Sequence, residues 1–387
     1  MKNIQANQPQ RSQSDQPRER SKLIQFVVKV SKYCNLRCAY CYEYNELSHK
    51  GVIAGSDMEK LFSHISRYSE DNQCRKVDFI WHGGEPFMVP LDYYRELSAM
   101  QKALFSHRLI VTNGAQTNMT VMTDRHIEFL KNKEFFTAIG MSFDVYGDQR
   151  VDTKGELKTG TVLENMQMLQ EAGIPFGAIC VLARNTYPHL QDIYHFYDSI
   201  GVSCRFLPIY RGISEQQIDM HALPPEEIEH AFRILFHEWQ QSEYATPVEP
   251  LNRYIDYGLS YLYDAPVQHP LYDKYYDEQT FMVNKDGRVW GTSETYDLDY
   301  LYGNLFEQEM EEILHSPGRM RAVSESRSRV EKHCSQCQYR GHCDGKYVGE
   351  ATPPQVEQME QHGCLVKKTL DYIVPKLEQI PVSVVSE

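Results

Sequence analysis

The chain has 387 residues, a formal net charge of −13 and no long basic block, which argues against a sequence-independent grip on DNA or RNA, since that needs a basic surface. Apolar residues make up 41% and charged residues 24%, ordinary for a soluble globular protein with room for two domains and a large buried core. No apolar run approaches the ~20 residues of a membrane span, and the opening stretch MKNIQANQPQRSQSDQPRER lacks the apolar centre of a secretory signal, so the expectation is a cytoplasmic protein with neither a membrane nor a nucleic acid as partner.

Residues 1–21 are polar, with Gln, Ser, Pro and Arg dominating, and read as a disordered tail. Over residues 22–211 strand and helix patterns alternate. The candidate strands are Ile24–Val30, Val77–Trp81, Arg108–Thr112, Thr137–Phe143, Phe176–Leu182 and Arg205–Ile209. Between them, Ser56 with Glu59 and Thr161 with Glu164 have the spacing of capping boxes, and Gly173 has the position of a C-terminal stop. This alternation implies an α/β fold of parallel strands joined by right-handed crossovers. In such folds chemistry gathers at the C-terminal ends of the strands.

Residues 212–276 read as a helical bridge. Pro224–Gln241 is amphipathic, and a tyrosine-rich stretch from Tyr254 to Tyr276 follows, better suited to packing between two domains than to a substrate groove. Residues 277–387 form a third segment. It opens with a hairpin pattern, Phe281–Val283 and Arg288–Trp290 around an Asp-Gly turn, and closes with a helix, Leu365–Leu377.

Ten cysteines in such a chain call for an explanation. Secreted disulfide scaffolds are short, so metal or cluster ligation in a reducing compartment is favoured. Cys34, Cys38 and Cys41 form a C-x3-C-x2-C loop within SKYCNLRCAYCYEY, just after the first strand. Three thiolates on one short loop can hold three irons of a cubic [4Fe–4S] cluster and leave the fourth open. Zinc sites favour paired C-x2-C-like ligands, which this spacing matches poorly. His82-Gly83-Gly84-Glu85-Pro86 follows the second strand; its glycines permit close backbone approach to a ligand, and Glu85 offers an acceptor for an ammonium group. Cys334, Cys337 and Cys343 run C-x2-C-x5-C, with Cys364 beyond. Cys74, Cys180 and Cys204 lie in or beside apolar runs and read as small buried hydrophobes.

The cysteine loop embedded in YCNLRCAYCY, with GGEP one strand later, resembles the radical SAM superfamily. The resemblance implies a partial (β/α)6 TIM barrel whose cluster binds S-adenosyl-L-methionine through its open iron. It assigns Gly83, Gly84, Glu85 and Pro86 to the methionyl amine and Tyr40 to the adenine. Asn113, Ser142 and Asp144 fall at recurrent strand-end positions, Ser142 toward the ribose or carboxylate. Arg150 matches a carboxylate-binding arginine, and Leu207 is among the positions that frame the adenine.

The late cysteines resemble the SPASM extension of radical SAM peptide-modifying enzymes, which usually carries seven cysteines and two auxiliary clusters. Here Thr292 stands where a G-x4-C cysteine is expected, and Tyr347 where a C-x3-C would end. The implied inventory is two [4Fe–4S] clusters, one binding S-adenosyl-L-methionine and one auxiliary, the latter held by Cys334, Cys337, Cys343 and Cys364. Related enzymes take an electron from a flavodoxin or ferredoxin type donor. They cleave the cofactor to a 5′-deoxyadenosyl radical that abstracts hydrogen from an unactivated C–H bond.

The phrase FVVKVSKYCNLRCAYCYEYNEL is similar to maturases of ribosomally made precursor peptides of the cyclophane-forming and darobactin type. That implies a side-chain cross-link, carbon–carbon or ether. The alternative is an anaerobic sulfatase-maturing type enzyme that oxidises Cys or Ser to formylglycine. Its base follows the G-x4-C cysteine, a position held here by Ser293, with Glu294 next. Glu294 and Asp297 are weak base candidates. A non-enzymatic iron–sulfur scaffold would need neither the open-iron loop nor GGEP.

Overall fold

The computed structural model describes residues 18–209, 220–264 and 270–379. The expected tail over residues 1–17 and the expected boundary at 211/212 lie outside the described residues.

Six parallel strands carry the first part of the chain: β1 Leu23–Ser31, β2 Lys76–Gly83, β3 Ile110–Thr117, β4 Ala138–Ser142, β5 Phe176–Leu182 and β6 Cys204–Pro208. Each pairs with the next in parallel, the order that repeated right-handed βαβ units produce. Helices α1 Gly55–Asp71, α2 Leu91–Leu104, α3 Asp124–Lys131, α4 Thr159–Glu171 and α5 Leu190–Ser199 make the crossovers. Side chains alternate between the two faces along most of each strand, as a pleat requires. Phe26, Phe79 and Trp81 turn outward and are fully buried with Phe62 of α1 and Tyr94 of α2. Each such ring contributes roughly 1.5–3 kcal/mol of burial. Lys29, His82, Gln116 and Ser142 turn to the other face, the concave one.

The two capping boxes do not form. Helix α1 starts one residue before Ser56 with Ala54 as N-cap, and α4 starts at Thr159 with Lys158 as N-cap, so Thr161 lies inside the helix. Gly173 does end α4, in the left-handed region at φ +68°. Strand β3 differs most from expectation. Asn113-Gly114 looks like a turn, yet the strand runs through it to Thr117.

The sheet continues beyond the six strands at both edges. Beside β6 lies the two-residue β7, Val248–Glu249, within the expected helical bridge. Beside β1 lies β8, Thr280–Val283, parallel to it, followed antiparallel by β9, Arg288–Gly291, and β10, Gly303–Asn304. The hairpin of the third segment is thus part of one ten-stranded sheet. A boundary at 276/277 falls inside a short helix, Lys274–Asp277. Residues 18–21 are not tail-like. Ser21 N donates to Tyr276 O at 3.1 Å, and the Arg20 guanidinium stacks 4.9 Å from the Tyr275 ring. Helix Leu365–Leu377 packs on helices Leu251–Leu262 and Pro225–Gln241, with Gly258 leaving room for Leu377. Among the described residues no helix is long and apolar enough to cross a membrane.

Candidate active site

Cys34, Cys38 and Cys41 share one small apolar nest with Leu36, Leu47 and Tyr40 at the C-terminal end of β1. All three are free thiols. Burial pushes the Cys34 thiol up to about 12, with a further push from Glu85, and burial raises Cys41 to about 11 and Cys38 as well. Bare thiolates are therefore unfavourable there, while an iron cluster would neutralise them. Hydrogen-bond donors already point at Cys34 Sγ: Leu36 N at 3.4 Å and Asn118 Nδ2 at 3.5 Å. Such donors tune cluster sulfurs. Among the described residues no three His, Cys, Asp or Glu side chains converge closely enough for a single metal ion. The donor set fits a [4Fe–4S] cluster.

The GGEP turn is welded to this loop. Gly84 N donates to Ser31 O at 2.8 Å and Glu85 N to Tyr33 O at 2.9 Å. A Cβ on Gly83 or Gly84 would collide with the carbonyls of Ser31 and Tyr33, respectively. The glycines therefore admit the neighbouring backbone, where the sequence suggested a ligand. Glu85 also has a structural role. Its buried carboxylate accepts from Phe87 N at 2.9 Å, Thr117 Oγ1 at 2.7 Å and Asn118 N at 2.6 Å. Burial still pushes it up to about 7 against those bonds. With about four acceptor positions on a carboxylate, three are taken within the protein and one is left, so Glu85 fastens β3 to the turn. Pro86 opens a short 3-10 helix beneath it and is buried.

Asn113 is also corrected. It faces the helices, accepting from Trp81 Nε1 at 2.9 Å and exchanging hydrogen bonds with Gln101. The strand-end residues are Thr117 and Asn118, which the turn-like Asn-Gly concealed. Ser142 sits on the concave face and accepts from Gln116 Nε2 at 2.9 Å. Asp144, just beyond β4, accepts from Val181 N at 2.9 Å and from the Tyr40 hydroxyl, and its carboxylate lies 3.2 Å from Arg150 Nε. Tyr40, half-buried, and the buried Asp144 and Arg150 thus form one group that ties the cysteine loop to β4 and β5. Leu207 projects from β6 and is 46% exposed.

A second anchor was not legible in the sequence. Buried Glu43, two residues after Cys41, pairs with Lys29 at 3.0 Å and Lys32 at 2.5 Å and accepts from the Tyr296 hydroxyl. Burial alone would raise this carboxyl; the two ammonium groups hold it down at about 2. The cysteine loop is thereby tied to the loop after β9.

The late cysteines gather where helix Pro317–Cys334 ends and helix Leu365–Leu377 begins. Cys364 is the N-cap of the latter, and Cys337 N donates to Cys334 O at 3.2 Å. Burial, then the neighbouring Cys364 and Cys337, push Cys334 up to about 12. These four thiols suit a cluster on the same grounds as the front three. Cys180 and Cys204 are buried and Cys74 half-buried.

Where further cysteines could have stood, there is charge. Lys274 is fully buried, 3.1 Å from Glu278, 3.3 Å from Glu294 and 2.9 Å from Glu350. Arg319 adds a second cation, 2.9 Å from Glu278, and Ser293 Oγ donates to Glu350 at 2.8 Å. Two cations against three carboxylates leave one proton to be held. It falls to Glu294, the carboxylate farthest from the ammonium, which burial raises to about 7; Lys274 keeps Glu350, despite burial, at about 2. The base candidates are thereby corrected: Glu294 belongs to this ion cluster, and exposed Asp297 caps a 3-10 helix by accepting from Asp299 N at 3.0 Å. A raised carboxyl stabilises the fold below its unfolded value and loses that contribution as pH rises through its folded one. Glu294→Gln is therefore expected to flatten the fall in stability between about pH 5 and 8 by about 1–3 kcal/mol, read by denaturant unfolding at each pH.

A cavity of about 220 Å³ opens between β6, helix Leu251–Leu262 and the auxiliary cysteine loop. Leu207, Tyr254, Tyr257 and Glu350 are among its walls, so two of the bridge tyrosines both pack the domains and face the cleft.

Comparison with known proteins agrees with this geometry. The radical SAM superfamily profile matches residues 28–197, and that of SPASM, an iron–sulfur cluster-binding domain, residues 275–338. The chain is 24% identical over 353 residues to a serine-type anaerobic sulfatase-maturating enzyme of Bacteroides thetaiotaomicron, covering 83% of this chain and 81% of that one. It is 24% identical over 327 residues to a cysteine-type enzyme of Clostridium novyi, covering 83% and 86%. Among solved structures, anSMEcpe with bound AdoMet and peptide superposes with a TM-score of 0.70 at 19% identity, over 92% of this chain and 97% of that one. Streptococcus suis SuiB bound to precursor peptide SuiA gives 0.56 at 15%, over 86% and 74%. This protein is an enzyme of radical chemistry, built from a radical SAM domain and a SPASM iron–sulfur cluster-binding domain.

Proposed function

We propose that the enzyme modifies a side chain of a ribosomally made precursor peptide, removing hydrogen to form an intramolecular cross-link, carbon–carbon or ether. The observation that carries the reading is the cleft itself: it lies between the C-terminal half of β6 and Cys343 of the late cysteine group, and is walled by apolar Leu207 and the two tyrosines. The front cluster and S-adenosyl-L-methionine, when bound, supply by one-electron cleavage an oxidant able to take hydrogen from an unactivated C–H bond.

The chain's own residues do the rest. Cys34, Cys38 and Cys41 would hold the front cluster; Cys334, Cys337, Cys343 and Cys364 would hold the auxiliary one. The backbone of Gly83 to Pro86, fixed by Glu85, would meet the amine of the cofactor. Arg150 and Ser142 would meet its polar end, and Tyr40 and Leu207 its adenine. Tyr40, Asp144 and Arg150 close one flank of the cysteine nest and would shield it from water on that side. A flavodoxin or ferredoxin of a reducing cytoplasm is the proposed electron donor.

The second reading, formylglycine formation, is favoured by the sulfatase-maturating relatives. Against it stand Ser293 at the position of that group's base and Glu294 locked on Lys274. Anaerobic co-expression with the peptide encoded nearby, followed by mass spectrometry, separates the two. A loss of two hydrogens, with no hydrazide-reactive aldehyde and no backbone fragmentation between the joined residues, is expected. A hydrazide-reactive product would establish the second reading, and an unchanged peptide beside continuing deoxyadenosine release would refute both.

A further inference from the structure

We infer that the cleft recognises a peptide segment bearing a carboxylate, held by Arg205 and Arg253. The inference rests on the peptide-modifying reading and deepens it by naming the substrate class.

The chain carries a net charge of −13, yet the cleft runs against that balance. Its walls bring together Arg205 from β6, Arg253 from helix Leu251–Leu262 and Lys346 from the auxiliary loop. The three come from separate elements, and all are exposed. The anions on the same walls are already engaged. Glu350 is bound by Lys274 at 2.9 Å and by Ser293. Asp344 accepts from Lys346 N at 2.8 Å and is hydrogen-bonded to Tyr257. The cations, in contrast, form no ion pair among the described residues. Two guanidiniums facing one cavity suit a carboxylate, which they can grip bidentately. Leu207, 46% exposed, lies two residues beyond Arg205 on the same side of β6 and provides an apolar contact beside it. The occupant is therefore acidic at one point and apolar or aromatic beside it. The acid can be an Asp or Glu side chain or the peptide's own C-terminus.

Fluorescently labelled peptides GYDLG, GYNLG and GYKLG with amidated C-termini, and GYNLG with a free C-terminus, test this by anisotropy on the reconstituted full chain. GYDLG-amide is expected to bind about tenfold more tightly than GYNLG-amide, with the gap closing as salt rises. If the free terminus restores the gap to GYNLG, the carboxylate recognised is the terminal one. Arg205→Gln with Arg253→Gln should abolish the discrimination, and Arg205→Lys should keep part of it; iron content of each variant reports that it has folded. Equal binding of the Asp, Asn and free-terminus peptides, tighter binding of GYKLG, or discrimination that survives the double variant would overturn the inference. If peptides bind or are modified regardless of charge, only the carboxylate inference falls. If none binds or is modified while deoxyadenosine is still released, the peptide reading falls with it.

Discussion

Replacing Gly84 with alanine is expected to strip the front cluster while leaving the auxiliary one in place. The new methyl would lie well inside contact distance of the Tyr33 carbonyl and 2.5 Å from that of Lys32. Both oxygens are backbone atoms on the strand-end segment that leads into Cys34, and Glu85 N is bonded to one of them. Neither can swing aside as a flexible side chain would. The turn and the cysteine loop must separate, which moves Cys34 relative to Cys38 and Cys41 and breaks the three-thiol geometry. Of the roughly eight irons expected of two cubic clusters, about four should be lost, with the 4Fe–4S absorbance roughly halved and deoxyadenosine formation abolished. Gly160→Ala is the matched control. Nothing lies within 4 Å of its Cβ, it sits in the first turn of α4, and alanine there should be neutral or stabilising by up to about 1 kcal/mol. Full iron in Gly84→Ala would mean that the turn and the loop are not coupled as described.

Lys274→Met should be the most destabilising single change in the second half of the chain. The ammonium is the common partner of Glu278, Glu294 and Glu350 and is fully buried. Removing one partner of a buried ion pair costs about 3–5 kcal/mol because the opposite charge is left uncompensated. Here three carboxylates lose it together, with only Arg319 remaining near Glu278. The loss should be smaller at pH 5 than at pH 8, since the stranded carboxyls can then take up protons. Chemical unfolding followed by circular dichroism at both values measures it. A loss below about 1 kcal/mol at pH 8, the scale of an exposed pair, would show that the cluster does not hold this region together.

Much of this arrangement is legible in the residues, and the illegible part has physical causes. The parallel strands could be read because each is a short apolar run followed by a helical pattern, and the cysteine spacings stand out whatever surrounds them. Strand β3 misled because Asn113 and Gly114 favour a turn in isolation. Burial overrides that preference: Asn113 is paired with Trp81 and Gln101, and Gly114 leaves room for Ile80. The error hid Thr117 and Asn118, the residues that bind Glu85 to the end of β3. The capping boxes failed because the helices begin earlier than local spacing suggests. The ion networks at Glu43 and Lys274 could not be foreseen, because the fold brings their members together across long stretches of sequence: Tyr296 meets Glu43 and Lys32 across 253 and 264 positions. Charged residues scattered along a chain read as solvated surface until the fold buries them.

The central claim is that the front thiols leave one iron open to the sulfonium cofactor. Its most direct test is deoxyadenosine formation by anaerobically reconstituted, dithionite-reduced enzyme supplied with S-adenosyl-L-methionine. The wild-type chain should release deoxyadenosine, and Cys38→Ala should release none while keeping about four auxiliary irons. No deoxyadenosine from fully iron-loaded wild type, or undiminished release from Cys38→Ala, would contradict the account.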